Sequence, residues 1–445
     1  MRFRSFSATL LGKACLSSGY RIPSHSIRHH RFSARCDEGI RQVKSVLPER
    51  KTLHPSNLER RELSPAAAHA VRALADEISD TLTRLPELPE RSRTLTDPAL
   101  IDLVDEHLGE LPGEVRAAVG PPEGTAGAAI LGTLPVSEAK LGATPHDWRD
   151  AARQAGKPGH RESLSLDIAV LLLARCAGEP FGWAGQQAGR LINNILPTPG
   201  HELEQSGASS KTLLSPHTED AFHPDRANLL LLACLRNPDA VGTTVSSVLL
   251  TELAERDRAL LAAPTVPILP DVSYGDAHLG HPAPPLPTLW HEGGNGTDTT
   301  HPTLRYDPAY TPLDDADPAF RAAYARLGAE LERVCVTVAL APGELLLVDN
   351  DVAVHGRVPF TARYDGTDRW LKRVNIRVPD RKRRRAEADE NGYGQHTVAP
   401  FGRAPSGRAS FGRTSFGGAP FGARTGRAEA ERETTPDGRG RREHS

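Results

Sequence analysis

HTEDAFHPDRANLLLLACLR, residues 217–236, sets two histidines and three carboxylates directly ahead of an almost unbroken apolar run. The run is far shorter than the roughly 20 residues of a membrane helix. Bounded by Pro224-Asp225 and Asn237-Pro238, it has the length and punctuation of a strand buried on both faces. Comparable short runs follow at 243–250 (TTVSSVLL), 335–341 (CVTVALA), 344–350 (ELLLVDN) and 370–378 (WLKRVNIRV). Helical periodicity appears after Ser64-Pro65, over 163–178 up to Gly178, and after Asp317-Pro318, each opening with a capping residue, a proline or both except the second. Strands and helices do not alternate regularly. The expected fold is therefore mainly β with flanking helices, a mostly antiparallel barrel or jelly roll rather than a doubly wound sheet.

Around that middle, the composition divides the 445-residue chain into three. Residues 1–55 are rich in Arg, Ser and His, with the first acid at Asp37, and read as a disordered or misassigned N-terminal extension. Residues 56–385 carry the globular patterning. Residues 386–445 repeat Phe-Gly at Phe401, Phe411, Phe416 and Phe421 and read as a disordered low-complexity tail. The stretch 271–300 is rich in Pro, Gly and His and reads as a long loop that is either disordered or a lid. Net charge is −2, so neither a nucleic-acid nor a membrane partner is expected. Five scattered cysteines without a CxxC pair suggest a reducing compartment, the cytoplasm.

On a strand, residues i and i+2 share a face. His217 and Glu219 are thus expected to aim an imidazole nitrogen and a carboxylate oxygen at one point. A His-x-Glu pair by itself is common and usually just polar. It gains weight from His355, which follows the apolar run 344–348 and the turn Asp349-Asn-Asp351. Two histidines and one carboxylate make the facial triad of non-heme Fe(II) oxygenases. Arg369, opening the last strand-like run, is suited to a bidentate grip on the distal carboxylate of a dicarboxylic acid. His223, the other histidine of the opening stretch, reads as a packing or hydrogen-bonding residue.

GEPFGWAGQQAGRLINNILP, HTEDAFHPDRANLLLLACLRNPD and PGELLLVDNDVAVHGRVPFTARYDGTDRWLKRVNIRVPD together resemble the clavaminate synthase-like Fe(II)/2-oxoglutarate oxygenases. The resemblance spans about residues 60–385. It implies a double-stranded β-helix, a jelly roll, with His217, Glu219 and His355 as catalytic iron ligands. Most of the wider superfamily has Asp in the middle position, so the Glu marks this branch. The likeness also implies that Arg369, assisted by Thr243, clamps 2-oxoglutarate. Arg373 then holds a substrate α-carboxylate, with Gln186 and Ser209 (or Ser210) close by. Asp271 and Asp307 fall about where arginine hydroxylases of the family hold a guanidinium, although Ala309 stands where a second loop carboxylate would be.

The function implied is Fe(II)-, O2- and 2-oxoglutarate-dependent hydroxylation of an amino acid, free or carrier-tethered, in specialised-metabolite (peptide antibiotic) biosynthesis. The β-carbon of arginine or another cationic amino acid comes first. Asparagine as substrate, desaturation or cyclisation stay open, as do more remotely a zinc or nickel barrel of another class and an RNA- or partner-binding role for the tail.

Overall fold

The computed structural model describes residues 58–401, apart from 85–93, 133, 156, 158–159, 276–278, 283, 292–301, 380, 382–386 and 388–389. The N-terminal extension, all the Phe-Gly repeats after Phe401, and much of the 271–300 loop lie outside the described residues.

Strands β1 (Glu59–Glu62), β2 (Ala128–Gly132), β3 (Glu179–Trp183), β4 (Ile192–Ile195), β5 (Leu214–His217), β6 (Leu229–Arg236) and β7 (Thr243–Ser247) come first. Then follow β8 (Leu289–Trp290), β9 (Thr303–Leu304), β10 (Val336–Val338), β11 (Leu345–Asp349), β12 (Ala353–Arg357), β13 (Trp370–Arg377) and β14 (Thr397–Val398). One sheet runs β1-β2-β11-β6-β13-β3-β14, with β4 also paired to β13; a second runs β10-β7-β12-β5; β8 and β9 form a small ribbon. Neighbours are antiparallel except β1 and β2. The chain is thus mainly β with flanking helices, and each strand-like run of the sequence forms a strand.

The apolar run after Asn228 is the central strand β6, buried throughout. Its residues separate with the period of two a strand imposes. Leu229, Leu231, Ala233 and Leu235 pack with the helices Pro65–Arg84 and Arg161–Ala177. Leu230, Leu232 and Cys234 pack with Val245, Val336 and Ala353 of the second sheet. Both faces being covered, no polar position interrupts the run. The helix Pro318–Arg333, capped by Asp317, covers the far side of the second sheet through Phe320, Tyr324 and Leu327 against Val352 and Val354.

The same alternation aims β13. Trp370, Val374 and Ile376 pack toward the helices. Lys372, on that face, is buried against Asp167 (2.8 Å) and Asn194 (2.7 Å). Arg373 and Asn375 therefore point the other way.

The tail boundary expected at 386 needs correction. Arg226 and Arg305 are wholly buried, and Glu387 accepts from Arg226 (2.5 Å) while Glu390 accepts from Arg305 (2.8 Å). β14 then pairs with β3, and Tyr393 and Phe401 are buried. Composition hid this because two carboxylates and two aromatics, not an apolar run, fix the segment. A chain ended at residue 386 would strand two guanidinium groups and is expected to lose at least about 3 kcal/mol of stability. A chain ended at residue 402 keeps these ion pairs and the β14–β3 pairing. Denaturant melts of the two would check this; equal midpoints would remove the segment from the folded unit.

Candidate active site

β5 and β12 run side by side with His355 opposite His217, and the two rings lie 4.6 Å apart. His217 Nδ1 donates to the Ser215 carbonyl at 2.8 Å, which leaves Nε2 facing inward. Glu219 Oε2 lies 3.6 Å from His217 Nε2 and 3.4 Å from His355 Nε2. One donor atom from each of the three residues falls within 4.8 Å of the others.

Glu219 does not reach this point by strand alternation, as expected from the sequence. β5 ends at His217, and the chain turns through Asp220 in the left-handed region at φ 52°. Asn350 sets the turn instead. Its Oδ1 accepts from the Glu219 amide (2.8 Å), and its Nδ2 donates to the carbonyls of Glu219 (3.1 Å) and Ala227 (3.0 Å). Nothing in the Asp349-Asn-Asp351 turn of the sequence marked that residue beyond its place after a buried strand.

The carboxylate is divided between tasks. Glu219 Oε1 takes a salt bridge from Arg373, while Oε2 is buried without a hydrogen-bond donor. Burial alone would raise this acid, but Arg373 and the two imidazoles hold it well below the usual carboxylate range. Burial likewise opposes charge on His217, yet Glu219 lifts its imidazole to about 9. His355, equally buried and facing His217, is pushed down.

The three residues line a cavity of about 570 Å³ with Thr243, Arg369, Arg373, Gln186, Asp271 and Arg357. Arg369 is buried and donates to Thr243 Oγ1 at 3.0 Å; its Nε has no partner, and no carboxylate among the described residues pairs with it. Burial pushes it down to about 10, with the Cys234 thiol in partial opposition. An unpaired guanidinium in such a site is poised for an anion. Arg373 donates to Gln186 Oε1 (2.7 Å) and Asn193 Oδ1 (2.9 Å), and its Nε too is buried without a partner.

Two expected contacts fall elsewhere. Ser209 is outside the cavity lining, and its carbonyl and hydroxyl both accept from Arg357. Its neighbour Ser210 is also buried outside the lining. Asp307 is also outside it, with Oδ1 accepting from the Ala309 amide at 3.1 Å. Burial raises its carboxyl to about 6, against the pull of His217. Asp271 does line the cavity and caps the turn Val272–Tyr274. His223 is not free to bind a metal: Nδ1 accepts from the Asp225 amide (2.9 Å), Nε2 faces the Gln395 carbonyl (3.2 Å), and the ring packs on Trp183.

Comparison with known proteins agrees with this geometry. Residues 174–375 match the family "Taurine catabolism dioxygenase TauD, TfdA family". Enduracididine beta-hydroxylase of Streptomyces hygroscopicus is 36% identical over 337 residues, 71% of this chain and 94% of the relative. L-ornithine/L-arginine 3-hydroxylase of Catenulispora acidiphila is 37% identical over 264 residues, 56% of this chain and 75% of the relative. The solved structure of the non-heme iron oxygenase OrfP with Fe and alpha-ketoglutaric acid superposes with a TM-score of 0.58 at 34% identity, over 72% of this chain and 94% of that one. The chain belongs to the clavaminate synthase-like branch of this family, the Fe(II)/2-oxoglutarate-dependent dioxygenases. The residues present suit that cofactor pair: two imidazoles and a carboxylate oxygen without a donor for the metal, an unpaired buried arginine for the co-substrate.

Proposed function

We propose that this enzyme hydroxylates a cationic amino acid, arginine or a close relative such as ornithine, at the β-carbon, within the biosynthesis of a specialised metabolite. His217, Glu219 and His355 hold the iron; Arg369, with Thr243, holds the far carboxylate of 2-oxoglutarate. Bound there, iron and 2-oxoglutarate supply the oxidising power, O2 being reduced as the 2-oxo acid becomes succinate and CO2.

The chain's own task is position. Three of the five Arg373 N–H donors are engaged by Glu219, Gln186 and Asn193, and we give Nε and the remaining Nη1 donor the substrate α-carboxylate. A carboxylate held there sits one residue's reach from Glu219, which sets the neighbouring carbons near the metal. Asp271, which also lines the cavity, meets the cationic end. Burial raises its carboxyl, so a cation is the ligand that restores its charge. We give Asp307 no direct contact and Ser209 the role of bracing Arg357. The observation that carries the reading is the convergence of three metal donors, one unpaired arginine and one acid on a single cavity.

The relatives named for arginine, ornithine and enduracididine support a free amino acid over a carrier-tethered one. We infer further that the two sheets are the halves of a double-stranded β-helix and that the oxygenase unit runs from about 58 to 401. Among the described residues Cys176, Cys234 and Cys335 are unpaired, which supports a reducing compartment such as the cytoplasm. No helix among the described residues is long and apolar enough to cross a membrane.

The test is succinate formation with Fe(II), O2 and 2-oxoglutarate across the free amino acids, with mass spectrometry of each. Arginine or ornithine should gain one oxygen and stimulate succinate release about tenfold or more over the unstimulated rate. Stimulation by asparagine alone would overturn the cationic reading.

A further inference from the structure

The turn Val272–Tyr274 that carries Asp271 at its N-cap is tied to the metal-bearing loop at one point. Tyr274 is buried with its ring near Phe222 (4.9 Å) and Trp183 (6.2 Å), and its hydroxyl donates to Asp220 Oδ1 at 2.5 Å. Asp220 directly follows Glu219. Its other oxygen accepts from Trp183 Nε1 (2.6 Å) and Asn375 Nδ2 (3.2 Å). One oxygen of this carboxylate is thus committed to the sheet, through β3 and β13, and the other to the turn. Between them, Ser273 Oγ accepts from Gln186 Nε2 (2.9 Å), whose oxygen in turn accepts from Arg373. The turn is therefore tied both to Asp220 and, through Gln186, to Arg373.

We propose that Tyr274 is a positioning residue for the hydroxylation: through Asp220 it fixes the Asp271 turn against Glu219, and so fixes which C–H of the substrate lies at the metal. This rests on the reading of Asp271 as the contact for the cationic end. The Tyr274 hydroxyl touches neither the metal ligands nor, on this reading, the substrate. Its effect is on distance: a substrate held at Arg373 and Asp271 presents its reacting carbon correctly only if those two points keep their separation. Displacement by about 1 Å can cost on the order of a hundredfold in a bound reaction.

Tyr274→Phe keeps the ring contacts and removes only the hydroxyl. The expected result is an amino-acid KM about tenfold higher with the 2-oxoglutarate KM unchanged, and succinate released per hydroxylated product rising from about one to about three. Trp183→Phe removes a donor from the same carboxylate on the sheet side. It should lower the melting temperature but leave that ratio near one. Asp271→Asn keeps the cap and removes the charge, and it should raise the KM for the cationic amino acid. A ratio near one and an unchanged KM in Tyr274→Phe would reduce the hydroxyl to a structural role. Equal uncoupling in Trp183→Phe and Tyr274→Phe would assign the effect to Asp220 and its loop, against the proposal. An unchanged KM in Asp271→Asn would instead remove the substrate reading of Asp271, and the proposal with it.

Discussion

His355→Ala is expected to lower 2-oxoglutarate turnover by at least about a thousandfold, roughly 4 kcal/mol of transition-state stabilisation, while leaving the fold intact. Backbone pairing of β12 with β5 and β7 does not involve the ring, and His355 Nδ1 has no partner to strand. What is lost is one of three donors on one wall of the cavity, and two donors hold a divalent ion far more weakly than three. Metal content after gel filtration should fall together with activity, and the circular-dichroism melt should stay close to that of the unsubstituted chain. His223→Ala is the internal contrast, because both its ring nitrogens are engaged by backbone and its ring packs on Trp183. That variant should melt earlier yet keep its iron. Were His355→Ala to retain metal and turnover within about tenfold, the triad would not be the metal site.

The contrast between the two histidines also marks how far the sequence could be read. β6 and β11 were legible because an apolar run between turn formers has few structural outcomes, and sheet packing on both faces accounts for every residue in it. His355 was legible from its place after such a strand. The route of Glu219 to the same point was not, because it depends on Asn350, 131 positions away, bonding to both the N–H and the C=O of that one residue. Strand periodicity pointed Glu219 toward this cluster for an incomplete reason. Ser209 and Asp307 show the opposite case: residues 206–208 line the cavity while Ser209 accepts from Arg357 instead, and Asp307, outside the lining, accepts through Oδ1 from the Ala309 amide. Side-chain direction inside a loop has no sequence period, so proximity in the chain could not tell lining from bracing. The segment 387–401 escaped for a third reason, since its burial rests on buried arginines whose need for carboxylates no composition count reveals.

Arg369→Met is expected to raise the KM for 2-oxoglutarate by about a hundredfold, close to 2.7 kcal/mol, with the amino-acid KM changed little. Its second expected effect runs the other way. Among the described residues Arg369 is a buried cation held by Thr243, with Nε unsatisfied. Burial already weakens its hold on the proton, which is the same desolvation cost seen from the acid–base side. Methionine fills similar volume without that cost, so the ligand-free variant should melt at the same temperature as the unsubstituted chain or higher. Added 2-oxoglutarate then reverses the order. At about a hundred times its Kd, a ligand that binds only the folded state stabilises it by about 2.7 kcal/mol. The unsubstituted protein should show that shift and the variant should not. Arg369→Lys separates charge from geometry: an ammonium keeps the positive charge but not the paired donors of a planar fork, so its shift should fall between the two. A variant Arg369→Met that melts lower without ligand, and still shifts fully with it, would mean that this arginine is a structural cation and that the 2-oxo acid is gripped elsewhere in the cavity.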